Sequence, residues 1–97
     1  MPKFQFTLYV AGDSPRSHLA AVNLRRLGDE RLGGDYELDI VDVVRDPERA
    51  ELERILTTPT LIKVRPEPAR RVTGDLSDPE LVIVALALHF DRGIPTR

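Results

Sequence analysis

The step Thr58-Pro59-Thr60, entering the apolar run Leu61-Ile62-Lys63-Val64, constrains the fold of this chain more than any other stretch. Proline cannot continue a helix and donates nothing to a strand ladder. Pro59 therefore belongs in a turn or at the first residue of a strand, never at a strand centre. Its ring also pushes Thr58 toward extended geometry. Two geometries meet these demands. One is an ordinary trans joint between helix and strand. The other is a cis corner, which costs about 0.5–1 kcal/mol relative to trans and must be held by the surrounding fold. The tripeptide alone leaves both open.

On either side of this corner the chain alternates between elements. Phe4–Val10 begins with apolar-polar alternation and ends continuously apolar, as for a strand that finishes fully buried. Ala11-Gly12-Asp13 turns the chain, and Ser14-Pro15 opens a helix with serine as cap and proline at the first helical position. Ala20, Ala21, Leu24 and Leu27 form its inner stripe, and Arg25, Arg26 and Glu30 its outer face. Gly28 costs about 1 kcal/mol against alanine inside that helix, which Gly33-Gly34 ends. A second strand is expected over Tyr36–Val44. It has so few polar positions that it reads as covered on both faces. Asp46-Pro47 caps a short helix carrying Ala50, Ile55 and Leu56. After the corner come strand Thr60–Arg65, the stiff Pro66-Glu67-Pro68 connection, a short strand Ala69–Thr73 and the turn Gly74-Asp75. Ser77-Asp78-Pro79-Glu80 has the spacing of a capping box with Ser77 as cap. It opens the run Leu81–Phe90, stopped by Asp91-Arg92-Gly93.

The order is strand, helix, strand, helix, strand, strand, helix, with a parallel first crossover and an antiparallel last pair. That order, with an X-Pro-Thr step leading into a strand, resembles thioredoxin-like domains. The expected fold is a single α/β domain of the thioredoxin-like type (βαβαββα) over residues 1–97, with a core of residues 4–91 and a tail of residues 92–97. Ninety-seven residues suit one domain and are too few for two.

Chemistry is sparse. The chain has no cysteine, so it has no disulfide, thiolate nucleophile or zinc-thiolate site, and the helix start that would carry an attacking thiol reads Gly12-Asp13-Ser14-Pro15. Ser14 and Ser17 lie near His18, but neighbouring helix positions do not face one another, and they read as surface polar residues. The two histidines lack partners at metal-ligand spacing, and no phosphate-binding glycine motif occurs, so no metal or cofactor is expected. A net charge of -2 gives no field that would recruit nucleic acid or anionic lipid. No signal peptide or membrane span is expected, which places the protein in the cytoplasm. Lys63, Arg65, Arg70 and Arg71 form a basic group suited to phosphate or to a partner's carboxylates, or else a solvated face.

Longer blocks narrow the choice. Leu8-Tyr9-Val10-Ala11-Gly12 with the Ser/Pro helix start resembles the KaiB family of circadian clock proteins. So does Thr58-Pro59-Thr60-Leu61-Ile62-Lys63-Val64, continuing through Pro66, Pro68, Arg70-Arg71 and Gly74-Asp75-Leu76-Ser77. The match runs collinearly from Phe6 to Phe90. The resemblance implies a non-enzymatic regulator that docks on the ring of a KaiC-type ATPase and tunes its cycle, without cofactor or metal. It also implies capture of KaiA, and competition with the KaiB-like sensor domain of a clock histidine kinase. On the matching segments the implied contacts are Tyr9, Lys63, Arg70 and Arg71, although Tyr9 also reads as core packing at the end of a strand.

The resemblance further implies a second, tetrameric fold (βαββααβ), and so a homo-oligomer, dimer or tetramer. Pro59, Gly74, Asp75, Ala85 and Ala87 are the positions tied to structure or fold choice. In this chain Val82-Ile83-Val84 favours strand and Ala85-Leu86-Ala87-Leu88 favours helix. As a helix the run would point Leu81, Val84, Ala85 and Leu88 one way and Val82, Ile83, Leu86 and Phe90 another, more apolar surface than one sheet covers. Clock members commonly carry glycine and an acidic residue at the positions of Ala85 and Ala87. Alanine for glycine inside a helix gains about 1 kcal/mol, so the thioredoxin-like form, with a cis bond before Pro59, is expected to predominate. The family's acidic tail is replaced by residues 91–97, which suits a KaiB-like paralogue in a timer or stress response as well as an oscillator. Two other classes remain: a thioredoxin-fold transferase holding glutathione by backbone amides, and a structural oligomer built through the last helix.

Overall fold

The apolar strand Phe4–Val10 becomes β1, at the heart of a four-stranded sheet in the computed structural model, which describes residues 1–88. Strand order is β2-β1-β3-β4, with β2 spanning Tyr36–Asp42, β3 Thr60–Arg65 and β4 Arg70–Thr73. β1 pairs parallel with β2 and antiparallel with β3, and β3 and β4 form the expected antiparallel hairpin. Among the described residues there are three helices: α1 (Pro15–Arg31), α2 (Pro47–Leu52) and α3 (Pro79–Ala85). Ser14 caps α1 as expected, its side chain accepting from the Ser17 N–H at 3.2 Å.

Strand alternation separates two unequal cores. Phe4, Phe6, Leu8 and Val10 of β1 and Leu61 of β3 meet Ala20, Leu24 and Leu27 of α1, Val82 of α3, and Leu86 and Leu88 beyond it. On the other side Tyr9, Val41 and Ile62 form a three-residue cluster, with Val43 and Ile55 packed against it. The Thr58–Pro59 bond is cis, as are those before Pro66 and Pro68. The corner is tied twice: Gly74 donates its N–H to the Pro59 carbonyl at 3.0 Å, and the Thr60 hydroxyl donates to the Thr57 carbonyl at 2.7 Å.

Four expectations are corrected. β2 ends at Asp42 and lies at the sheet edge, with Ile40 and Val44 exposed, instead of running to Val44 covered on both faces. The short α2 buries none of its residues; Ile55 and Leu56 lie beyond its end. Asp78, not Ser77, caps α3, accepting from the Leu81 N–H at 3.3 Å, while Glu80 pairs with Arg31. Finally, α3 stops at Ala85. Ala87 has φ +52°, so Leu88 swings into the core beside Leu86 instead of joining Leu81 and Val84 outside. The alanine argument therefore divides: Ala85 is the last helical residue, but Ala87 adopts a left-handed conformation that an L side chain disfavours. His89, Phe90, the stop at Asp91-Arg92-Gly93 and the tail lie outside the described residues.

Candidate partner-binding surface

The same alternation sorts the proposed contact residues onto opposite sides of the sheet. Lys63 lies opposite Arg70, and Ile62 opposite Arg71. Ile62 belongs to the small core beside Tyr9, so Tyr9 and Arg71 share the α2 side. Leu61 and its neighbour Val72 belong to the large core, so Lys63 and Arg70 face the α1/α3 side. The basic group of the sequence is thus no single patch. Lys63, expected on that basic face, is 1% exposed, its Nζ donating to the Ala87 carbonyl at 3.3 Å. Burial lowers its pKa, and the nearby Arg70 charge lowers it further.

The α2 side is built differently. Tyr9 is only 2% exposed, the ring forming floor while burial raises its hydroxyl's pKa, partly offset by the positive Arg49. Over it lies an open groove of about 450 Å3, lined by Thr7, Tyr9, Ile62, Val64 and Ala69 from the sheet side and by Arg49, Leu52 and Glu53 from α2 and its end. Arg49 pairs with Asp39 of β2 at 3.0 Å, which raises the guanidinium's pKa, and Arg71 approaches Glu53 at 3.7 Å. A second groove of about 510 Å3 on the far flank of α2 is lined by Val43, Pro47, Ala50, Ile55 and Leu56 among others. Between them Leu52 and Leu56 are 81% and 95% exposed. Six residues are too few for a helix to be stable on its own. The Asp46 cap, the exposed Arg49–Asp39 pair, and Ile55, which packs on the small core and donates its N–H to the Ala50 carbonyl at 2.9 Å, all hold α2 against the sheet.

Gly74 and Asp75 hold the remaining structural position. Gly74 has φ +108°, and the Asp75 carboxylate accepts from the Ser77 N–H at 3.0 Å, which lowers its pKa together with the Ser77 hydroxyl. The Asp75 carbonyl accepts from the Asn23 side chain at 2.8 Å, tying the turn to α1. At the same end of the sheet, Ser14 and Ser17 are spent on local capping: the Ser17 hydroxyl accepts from the Ala11 N–H at 3.3 Å. Ser17 is buried, not a surface residue as expected, and His18 is exposed. Among the described residues no group of histidine, cysteine, aspartate and glutamate could hold a metal ion. What the α2 side offers is an apolar floor, two protruding leucines and paired charges, the ingredients of recognition between macromolecules. Sequence reasoning missed Leu52, Arg49, Asp39 and Glu53. Leu52 was hidden because Ile55 and Leu56 were read as the helix's apolar face.

Against known proteins, the KaiB domain family profile matches residues 7–88. The chain belongs to the KaiB family. It is 48% identical over 85 residues to the circadian clock oscillator protein KaiB of Prochlorococcus marinus (strain MIT 9312), an alignment covering 88% of this chain and 81% of the relative. With the KaiB protein of Parasynechococcus marenigrum (strain WH8102) it shares 46% over 88% of this chain and 82% of the other. Among solved structures, the N-terminal domain of Synechococcus elongatus SasA superposes with a TM-score of 0.72 at 22% identity, covering 98% of this chain and 91% of that one. Mitochondrial thioredoxin 3 from Saccharomyces cerevisiae gives 0.70 at 13% identity, over 92% and 81%. These two likenesses establish the thioredoxin-like fold of this KaiB-family chain. No helix among the described residues is long and apolar enough to cross a membrane.

Proposed function

We propose that this KaiB-family domain is a non-enzymatic cytoplasmic regulator that docks on the ring of a KaiC-type ATPase and tunes its cycle. The observation that carries this reading is the half-covered α2 side of the sheet, in a chain of a clock-protein family that carries no cysteine. Arg71 and the Tyr9 floor lie on that side, and Arg70 works from the opposite rim. Lys63 acts from inside the fold, not by contact. A KaiA-type protein and a kinase bearing a KaiB-like sensor domain are the proposed further partner and competitor, and the free protein self-associates as a dimer or tetramer. The test is co-elution with the KaiC-type ATPase of the same genome under ATP and ADP, comparing Arg71→Ala with Arg70→Ala. Loss of binding in the Arg71 variant supports the α2 side. Failure of the unaltered protein to co-elute under either nucleotide overturns the proposal.

A further inference from the structure

Lys63 is a buried cation that partner docking does not need, and its position calls for another role. The segment it touches is internally strained. Leu86 caps α3, and the turn after it closes with two backbone bonds: Ala87 N–H to the Val84 carbonyl at 3.2 Å, and Leu88 N–H to the Ile83 carbonyl at 2.9 Å. This is the Schellman arrangement, which places its left-handed residue where glycine is favoured. Here that residue is Ala87, at φ +52°. The turn is nonetheless essential to the core, because it carries Leu86 and Leu88 into full burial at 0% and 1% exposure.

Against that strain stands one side chain from the sheet. The Lys63 Nζ donates to the Ala87 carbonyl at 3.3 Å, its only hydrogen-bond partner among the described residues. A positive group at a helix's carboxyl end is favoured by the carbonyl dipoles there, and a bond from a charged donor is stronger than a neutral one. Arg70, across the β3–β4 ladder, adds a like charge and opposes the ammonium.

We propose that Lys63 is a positioning residue, a latch that clamps the 86–88 turn to β3 and sets how readily that turn opens independently of the rest of the domain. The proposal concerns the free protein and does not rest on the identity of any partner. Native-state hydrogen exchange followed by NMR tests it, comparing the Leu86 and Leu88 amides with those of Leu8 and Leu24. In Lys63→Met, which keeps the apolar stem, exchange at Leu86 and Leu88 is expected to rise about tenfold or more relative to Leu8 and Leu24. Ala87→Gly relieves the turn and should slow it about fivefold. Adding Ala87→Gly to Lys63→Met should return the ratio toward that of the unaltered protein. An unchanged ratio in Lys63→Met, or an equal rise at all four amides, overturns the proposal. Should the methionine variant not fold, the unaltered protein decides. Lys63 Nζ protons protected from exchange and coupled through the hydrogen bond to the Ala87 carbonyl carbon support the latch. A solvent-like Lys63 ammonium refutes it.

Discussion

Gly28 is a helix glycine whose replacement by alanine should destabilise this protein. On propensity alone, alanine in the middle of α1 is worth about 1 kcal/mol more than glycine. The structure reverses that sign. A Cβ built at Gly28 would stand 2.3 Å from Cε1 of Tyr36, 2.6 Å from Cδ1 and 2.7 Å from Cζ, well inside contact distance. The ring also packs against the core residue Phe6, with centroids 6.3 Å apart, so moving it disturbs a second contact. Forcing an extra methyl into a packed site costs about 1–3 kcal/mol, so after the propensity gain the net effect of Gly28→Ala should be a loss of up to about 2 kcal/mol. For a domain of this size a loss at the upper end lowers Tm by roughly 8–16 °C at fixed protein concentration. The decisive measurement is a double-mutant cycle by urea unfolding, followed by far-ultraviolet circular dichroism. With the ring removed in Tyr36→Ala, adding Gly28→Ala should stabilise by about 1 kcal/mol, a coupling of about 1–3 kcal/mol between the two sites. If Gly28→Ala stabilises in both backgrounds, the ring does not rest on α1 and the reasoning fails.

Other outcomes follow from the caps, the acid limb and the open face. Asp78→Ala should cost about 1 kcal/mol by removing the α3 cap, while Ser77→Ala, which removes only the hydroxyl's bond to the Asp75 carboxylate, should lower the melting temperature less, a contrast that differential scanning calorimetry resolves. The Asp42 carboxylate accepts from the Gly12 and Val44 N–H groups at 3.1 and 2.9 Å, which lowers its pKa below 3.8. Its contribution is therefore full above the unfolded value and is lost as pH falls through the lowered folded value. Asp42→Asn should accordingly show a smaller Tm difference between neutral pH and about pH 2 than the unaltered protein. Replacing Leu52 and Leu56 together by serine should leave Tm within about 2 °C, because both are solvent-exposed, yet weaken ring binding about tenfold or more by isothermal titration. Unchanged affinity would move the docking face away from α2.

Much of the architecture was readable because local signals agreed. Ser14-Pro15 and Asp46-Pro47 marked two helix starts, the Pro59 corner marked where β3 begins, and β1 announced itself by its apolar run. The errors came where a local signal competes with tertiary context. The apolar density of β2 suggested two-sided burial, but its edge place in the sheet order leaves Ile40 half-exposed. Ser77 and Asp78 are both good caps one residue apart, and the capping-box spacing from Ser77 to Glu80 outweighed Pro79, whose place at the first helical position marks Asp78 as it marks Ser14 and Asp46 elsewhere. The end of α3 was illegible because alanine at a left-handed position carries no sequence mark, whereas glycine would have. Grouping the basic residues failed for a simpler reason: adjacent strand positions face opposite ways, so Arg70 and Arg71 cannot share a face, and the pairing that buries Lys63 needs the hairpin register.

The two sides of the sheet therefore divide the labour. On the α1/α3 side the core is continuous, and even a lysine is drawn inside to hold the last described turn. On the α2 side, three buried apolar residues and a helix that buries nothing leave two grooves and two leucines in water. Burying those leucines in a partner would release about 1.5–3 kcal/mol each, comparable to a sizeable share of the stability of a small domain. A fold could recover that energy by lengthening α2 and closing the grooves over itself. That this chain keeps the helix at six residues, held by one cap, an exposed ion pair and Ile55, fits the proposed docking surface, and the paired serine substitutions at Leu52 and Leu56 test it.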